Sequence, residues 1–414
     1  MAEPIAILVA ARDEEERIGR TVAALKTAFP DAEVLVADDG SRDATAAAAE
    51  QAGARVVRLP RLGKGQALTL AEREAPPGRL LLCDADLEGD LSALAEDAAD
   101  LAVAVFAERQ GGGFGIAKRV ARMLIRARSG FEAREPLSGQ RSLTQIAREA
   151  CFPLAPGFGC EVRMTIDAVR GGLRVHELEL PLRHRPTGRD AHGFLHRGRQ
   201  ALDAVLASGP TARNHRGLRL PLVGALVATG GLSAPRRVRL SVAGIAFLGL
   251  ADDLWSGPER GLRAHLRSGR TTGALKAAGI PVLALAATRS VSGALLVSLS
   301  ANGLNLLDTR PGRALKAFLA GALLLRAPTR AYVPIAVLLS PYDLREMTML
   351  GDAGSNALGA VLGYGSVARF TAGGRRLAIA ALVGLTILGE TRSLGELIER
   401  TPGLSRLDRL GRHY

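Results

Sequence analysis

The chain changes character near residue 219. Before that point, short apolar runs alternate with charged, helix-like segments. After it, apolar stretches recur at about 219–234, 238–251, 275–288, 290–304, 314–325, 331–341, 352–369 and 376–390. One core does not serve both patterns in 414 residues, so two domains are expected, 1–205 and 206–414. Many of the stretches are shorter than the roughly 20 residues a straight span needs. Their Gly and Ala content nevertheless suits close helix packing in lipid, and loops rich in Gly, Pro and Arg separate them. The second domain is therefore expected to be an all-α, polytopic membrane domain.

The first domain is expected to be an α/β unit with a Rossmann-like, mostly parallel sheet. Ile5 to Ala11 is a continuous apolar run, as a parallel strand buried on both faces should be. It is strand-length and has no basic flank, so it does not read as a signal peptide. Residues 13–28 read as a helix with acids in its first turn, where the helix dipole favours them. Glu33 to Ala37 reads as a strand, Asp38 to Asp43 as its loop, and 44–52 as an Ala-rich helix. Ala54 to Leu59, 64–74 and Arg79 to Cys83 continue the alternation as strand, helix and strand. Ligands of such sheets bind beyond the carboxyl ends of the strands. Those ends carry Arg12-Asp13-Glu14, Asp38-Asp39 and Asp84-Ala85-Asp86, three acidic clusters at one rim.

A nucleoside diphosphate suits that rim. It needs a hard cation, which takes oxygen ligands, one or two of them protein carboxylates. Asp86 is the expected metal ligand, with Asp84 supporting the ribose or the metal. Asp38 and Asp39 are placed to accept hydrogen bonds from the base or ribose. Gly63-Lys64-Gly65 opens a helix, which sets Lys64 and nearby amides toward a phosphate.

Asp-Asp-Gly-Ser-Arg-Asp at 38–43, Gly63-Lys64-Gly65 and Asp84-Ala85-Asp86 resemble family-2 glycosyltransferases of the GT-A fold, over roughly residues 4–205. Ala10-Ala11-Arg12-Asp13-Glu14-Glu15 stands where that family opens with a P-x-x-N-E-E-like stretch, which puts Glu14 in the nucleotide-sugar site. Ser138-Gly139-Gln140-Arg141 resembles the S-G-x-R segment of the family's polyprenyl-phosphate sugar transferases, implying acceptor roles for Gln140 and Arg141. Gly157-Phe158-Gly159-Cys160-Glu161-Val162 resembles the acceptor-side segment, and Glu161 is the candidate base if the acceptor is a hydroxyl. His184 falls where such enzymes often place a further metal ligand. Arg189, His196, Arg197 and Arg199 lie among apolar residues in 189–206, a basic amphipathic run suited to anionic lipid.

The second half carries its own acids: Asp252-Asp253, Asn302 to Asp308 and Gly351-Asp352-Ala353-Gly354-Ser355. Carboxylates at the ends of membrane helices are costly and mark function. If each stretch spans once, segments 252–274, 305–313 and 342–351 and the C-terminal tail share the cytosolic face with the catalytic half. Arg236, Arg237, Arg239, Arg375 and Arg376 then fall outside, against the usual charge bias. Gly249 to Asp253, Gly269 to Lys276, Asn302 to Asp308 and Met349 to Ser355 resemble motifs of the polyprenyl-phosphate phosphoglycosyltransferases that include the phospho-MurNAc-pentapeptide translocase. The resemblance implies lipid-phosphate or metal contacts for Asp252, Asp253, Arg270, Lys276, Asn305, Asp308 and Asp352. Pro311 stands where that family carries a further metal-binding carboxylate.

The net charge of +13 favours anionic lipid and phosphorylated substrates. Basic–aromatic interleaving and nucleic-acid motifs are missing, so nucleic acid is not an expected partner. Cys83, Cys151 and Cys160 have no framework or metal spacing, which points to reduced thiols on the cytosolic side. The expectation is a membrane-bound, multi-pass glycosyltransferase using Mg2+ or Mn2+. It would move a sugar from a nucleoside-diphosphate sugar, a UDP-sugar first, to polyprenyl phosphate or a similar lipid. A homo-oligomer is compatible with the chain. Two alternatives stand beside it: a bifunctional enzyme whose membrane half transfers sugar 1-phosphate, and a membrane half that only anchors.

Overall fold

The computed structural model describes residues 3–107, 115–182, 191–214, 219–255, 272–325, 328–392 and 394–412. The chain divides into two units, Met1–Gly209 and Pro210–Tyr414. The first runs a few residues past the expected 205 because a helix, Ala191–Ala207, closes it.

The first unit is an α/β layer built on a seven-stranded sheet. Its strands are β1 (Ile5–Ala11), β2 (Glu33–Asp39), β3 (Arg55–Leu59), β4 (Arg79–Asp84), β5 (Leu101–Phe106), β6 (Arg141–Leu143) and β7 (Val175–Leu180), in the order β3-β2-β1-β4-β6-β5-β7. All pairings are parallel except those of β6, which runs antiparallel to β4 and β5. The period-2 geometry of a strand sends alternate side chains to opposite faces. Ile7, Val9, Val34, Val36 and Leu81 pack on one face with helix α1 (Ile18–Ala28). Ala6, Leu8, Leu35, Leu80 and Leu82 pack on the other, with the helices Lys64–Glu72, Gln145–Cys151 and Cys160–Arg170. Burial on both faces is why these strands read as unbroken apolar runs.

Two expected boundaries are corrected here. Helix α1 begins at Ile18, and no acid lies in its first turn. The preceding residues are bound to the loop after β2 instead: the Asp13 amide donates to Ser41 Oγ at 3.0 Å and the Glu14 amide to Thr45 Oγ1 at 2.7 Å. Strand β2 runs on through Asp38 and Asp39, which pair in register with β3 at Arg58 and Leu59. Both aspartates are therefore fixed at the strand end rather than free in a loop.

Among its described residues the second unit is mainly helical, with a short antiparallel pair, Thr211–Arg213 with Arg219–Pro221. The apolar stretch 219–234 is thus not a helix as expected: it holds that strand and a 3-10 segment, Gly224–Thr229. The principal helices are Arg236–Trp255, Thr272–Thr288, Val291–Leu307, Arg313–Leu325, Val333–Leu344, Gly351–Arg369 and Ala372–Thr391. Small residues let them pack closely. A Cβ added at Gly359 would lie 2.5 Å from the Ser300 carbonyl oxygen. Among the described residues one helix segment, Ala372–Gly389, is long and apolar enough to cross a membrane. Thr272–Thr288 and Val291–Leu307 are apolar but shorter.

Candidate active site

The carboxyl ends of β1, β2 and β4 bring the expected acids of the first unit to one rim. Asp84 ends β4, and Lys64 opens the helix Lys64–Glu72. The Lys64 ammonium lies 2.7 Å from Asp84 Oδ1 and 2.7 Å from Glu161 Oε1. Burial opposes its charge, but the Asp84 and Glu161 carboxylates outweigh burial and hold its pKa well above the usual range. Gln140 grips Asp84 from the other side. Its Nε2 donates to Asp84 Oδ2 at 3.0 Å, and its Oε1 accepts from the Asp84 amide at 3.0 Å. Gly139 is needed beside it, because a Cβ there would meet Asp84 Oδ2 at 2.3 Å. Asp84 is thus fully oriented, with a third of its side chain still exposed.

Asp39 holds the loop that delivers Lys64. Its carboxylate accepts from the Leu62 amide at 2.6 Å and the Gly63 amide at 2.9 Å. Burial pushes the Asp39 carboxyl up in pKa, and those two amides pull against it. Asp38 Oδ1 accepts from the Ser41 amide at 3.0 Å, while its Oδ2 accepts nothing among the described residues. Glu14 pairs with Arg17 at 2.6 Å. Glu161 is buried and is also bonded by the Cys160 thiol, whose Sγ lies 3.0 Å from Oε2. Burial, followed by the neighbouring Glu161, raises the pKa of that thiol.

Asp86 lies in the turn beyond β4, half-buried. A Mg2+ or Mn2+ there fits the donors present. Asp84 and Asp86 supply hard carboxylate oxygens, and such ions complete their shell with phosphate oxygens and water. Among the described residues no three His, Cys, Asp or Glu side chains form a ligand group, so a cation would depend on the diphosphate for part of its shell. His184 and Arg270 lie outside the described residues.

Arg141 departs from the expected acceptor contact. It has no exposed surface. Its guanidinium donates to the Ser138 carbonyl at 2.8 Å, Thr165 Oγ1 at 2.9 Å and the Pro136 carbonyl at 3.3 Å. It braces the segment that carries Gln140, and an acceptor phosphate has no access to it.

The second unit gathers its acids at one end of the helices. Asp252 Oδ1 accepts from Thr272 Oγ1 at 2.6 Å, and its Oδ2 lies 2.7 Å from the Lys276 ammonium. Lys276 is also ion-paired with Asp352. Asp253 accepts from the amides of Asp352 and Ala353, each at 3.0 Å, and so caps the helix Gly351–Arg369 from a neighbouring one. Asn305 Oδ1 accepts from Ser355 Oγ at 2.7 Å. Asp308 ends the helix Val291–Leu307 and lies close enough to Asp343, Asp352 and Asp253 to feel their charge. Asp343 is an addition to the sequence-derived set. Its carboxylate accepts from the Gly312 amide at 2.6 Å, beside Pro311. No motif marks it in the sequence, where it stands in Pro341-Tyr342-Asp343-Leu344-Arg345-Glu346. The Lys64–Glu161 pair likewise escapes sequence reading, since nearly a hundred residues separate its members.

Residues 6–140 match the model of glycosyl transferase family 2. Glycosyltransferase AglJ of Haloferax volcanii is 30% identical over 39% of this chain and 57% of its own length. Thus the chain spans little more than half of that relative. Protein RfbJ of Shigella flexneri is 33% identical over 22% of this chain and 71% of its own. Among solved structures, glucosyl-3-phosphoglycerate synthase from Mycobacterium tuberculosis, in complex with phosphoglyceric acid, is 23% identical. It covers 50% of this chain and 84% of that one, with a TM-score of 0.42. On the match to residues 6–140 and the extent of the match to RfbJ, the chain belongs to glycosyl transferase family 2.

Proposed function

We propose that this protein transfers a sugar from a nucleoside-diphosphate sugar, a UDP-sugar first, to the phosphate of a membrane lipid such as polyprenyl phosphate. The observation that carries this reading is the Lys64 ammonium held between Asp84 and Glu161 at the strand rim. In the reaction the bond between sugar C1 and the diphosphate oxygen breaks. A new bond forms between C1 and an oxygen of the acceptor phosphate, and the nucleoside diphosphate leaves with the electron pair. Asp38 Oδ2 accepts from the base or ribose. The Asp39-held loop presents Lys64, whose fixed positive charge attracts the diphosphate and steadies charge on the leaving group. Gln140 keeps Asp84 turned into the site. A phosphate acceptor is already anionic, so Glu161 is not needed as a base; it positions Lys64. A divalent cation held by Asp86, with Asp84, would neutralise the diphosphate.

The second unit supplies the lipid side. Large apolar side chains cover its outside, with Leu323 81% and Leu377 74% exposed, as suits contact with lipid. We place it in the membrane on that ground, with Ala372–Gly389 as a span. Its acid cluster is bridged by Lys276 and spent on amides, and Pro311 stands in place of the carboxylate that its resemblance implies. This favours holding a lipid phosphate over transferring sugar phosphate.

The test is radiolabelled transfer from a panel of nucleotide sugars into butanol-extractable lipid, with and without chelator. Label in the lipid that chelator abolishes supports both the acceptor and the cation. Label entering only water-soluble products overturns the lipid acceptor, and full transfer in chelator overturns the cation.

A further inference from the structure

The end of the second unit remote from its acids is a separate feature. The helix Arg236–Trp255 sets Arg236 and Asp252 about 24 Å apart along its axis, at ~1.5 Å per residue. Around the Arg236 end a cavity of about 520 Å³ opens. Its walls are largely apolar: Ala234, Val238, Ala287, Ala331 and Val367 line it, and Arg330 stands among them.

The charge around this cavity has one sign. Arg236, Arg237 and Arg239 lie in the first turn of that helix, Arg289 follows the lining residue Thr288, and Arg369 follows the lining residue Ala368. Arg375 folds back onto the same wall, donating to the Val367 carbonyl at 2.7 Å. Sequence segments 226–240, 284–295, 328–336 and 364–378 contain no Asp or Glu at all. Among the described residues none of these arginines, Arg330 included, is ion-paired. Unpaired guanidiniums around an apolar cavity are an arrangement for a ligand with an anionic head and an apolar chain. Arginine binds phosphate through a planar fork, and burying a hydrocarbon chain stabilises by about 0.8 kcal/mol per methylene.

We propose that this cavity is a phospholipid site: an acyl chain lies against Val238, Ala287 and Val367, and the phosphate sits among Arg330, Arg289 and Arg369. The site is independent of the transfer reaction, since it uses none of the residues assigned to it.

The full chain, purified in neutral detergent, is titrated with dioctanoyl phosphatidylglycerol, dioctanoyl phosphatidylcholine or inorganic phosphate. Retention is read by native mass spectrometry and by the shift in unfolding midpoint. The expected result is retention of phosphatidylglycerol with a raised midpoint, and neither effect with the other two probes. Arg330 is exposed and unpaired, so Arg330→Ala keeps the fold and should weaken phosphatidylglycerol binding about tenfold. Val238→Trp, which fills the cavity, should abolish it. Equal retention of phosphatidylcholine, a matching shift with inorganic phosphate, or binding untouched by Arg330→Ala would each overturn the proposal.

Discussion

Two lysines in this chain each stand between two carboxylates. Lys64 lies 2.7 Å from both Asp84 and Glu161, and Lys276 lies 2.7 Å from Asp252 and is ion-paired with Asp352. The surroundings differ. In the first unit the bridge sits at the ends of parallel strands, and Asp86 lies half-buried in the adjoining turn. Asp84 keeps a third of its side chain open to an arriving ligand. In the second unit the remaining acids serve the fold: Asp253 caps a helix, and Asp343 holds the Gly312 amide. The first bridge stands at the strand rim, where ligands of such sheets bind, whereas the carboxylates around the second have helix-end amides among their partners. That contrast is the basis for assigning chemistry to one unit and lipid holding to the other.

The sharpest way to break the contrast is Asp86→Ala. If Asp86 holds the cation, transfer should fall about a thousandfold, a loss of several kcal/mol of charge stabilisation. Nucleoside diphosphate release at near wild-type rate in this variant would remove the asymmetry between the two units.

Next come the lysines themselves. Lys64→Met leaves the buried Glu161 and Asp84 facing each other without a cation. The first unit should lose about 3–5 kcal/mol, read by denaturant unfolding, together with nucleotide binding. Lys276→Met should cost about 3 kcal/mol or less, because Asp352 keeps 29% exposure. It should raise KM for the lipid while leaving nucleotide binding intact. Loss of nucleotide binding in Lys276→Met would contradict the division of labour.

Arg141→Lys tests whether the enclosed guanidinium is a brace. A lysine does not reproduce its fork of donors to Ser138, Thr165 and Pro136. The expected loss is about 2 kcal/mol of stability, with KM for the lipid unchanged in the folded protein. A raised KM without a stability change would restore the acceptor contact.

How much of this was legible in the sequence differs between the units for a physical reason. Buried parallel strands such as Ile5–Ala11 announce themselves as apolar runs ended by acids, and the strand-end rule then places Asp84 and Asp86. The start of α1 is not legible because Asp13 and Glu14 are claimed by Ser41 and Thr45, contacts across 28 and 31 residues that no local pattern reports. In the second unit, apolarity alone does not separate a span from a strand and 3-10 segment, as residues 219–229 show. The convergence of Asp252, Lys276, Asn305, Asp308 and Asp352 at one helix end was legible from motif order. Asp343 was not, since it belongs to no motif and joins through the Gly312 amide.

The smallest effect calibrates the others. The hydrogen bond between Asp97 and His176 Nδ1, at 2.6 Å, lies outside both lysine bridges, and His176 is 56% exposed. Burial pushes the Asp97 carboxyl up, but the Ala99 amide and His176 together hold it below the usual range. A carboxyl lowered on folding stabilises above its unfolded pKa, near 4, and loses that stabilisation as pH falls through the lowered value. Asp97→Asn should therefore cost under about 1 kcal/mol at pH 7 and still less near pH 3. A larger cost at pH 3 than at pH 7 would contradict the assignment.

The central claim is that sugar transfer belongs to the first unit and that the second holds the lipid phosphate without transferring sugar phosphate. Product analysis tests it most directly. Detergent-purified full chain is given undecaprenyl phosphate and UDP-sugars, and the released nucleotide is identified. The account predicts nucleoside diphosphate, lost on Asp86→Ala, and no monophosphate. Monophosphate that disappears on Asp252→Asn would contradict it and make both units catalytic.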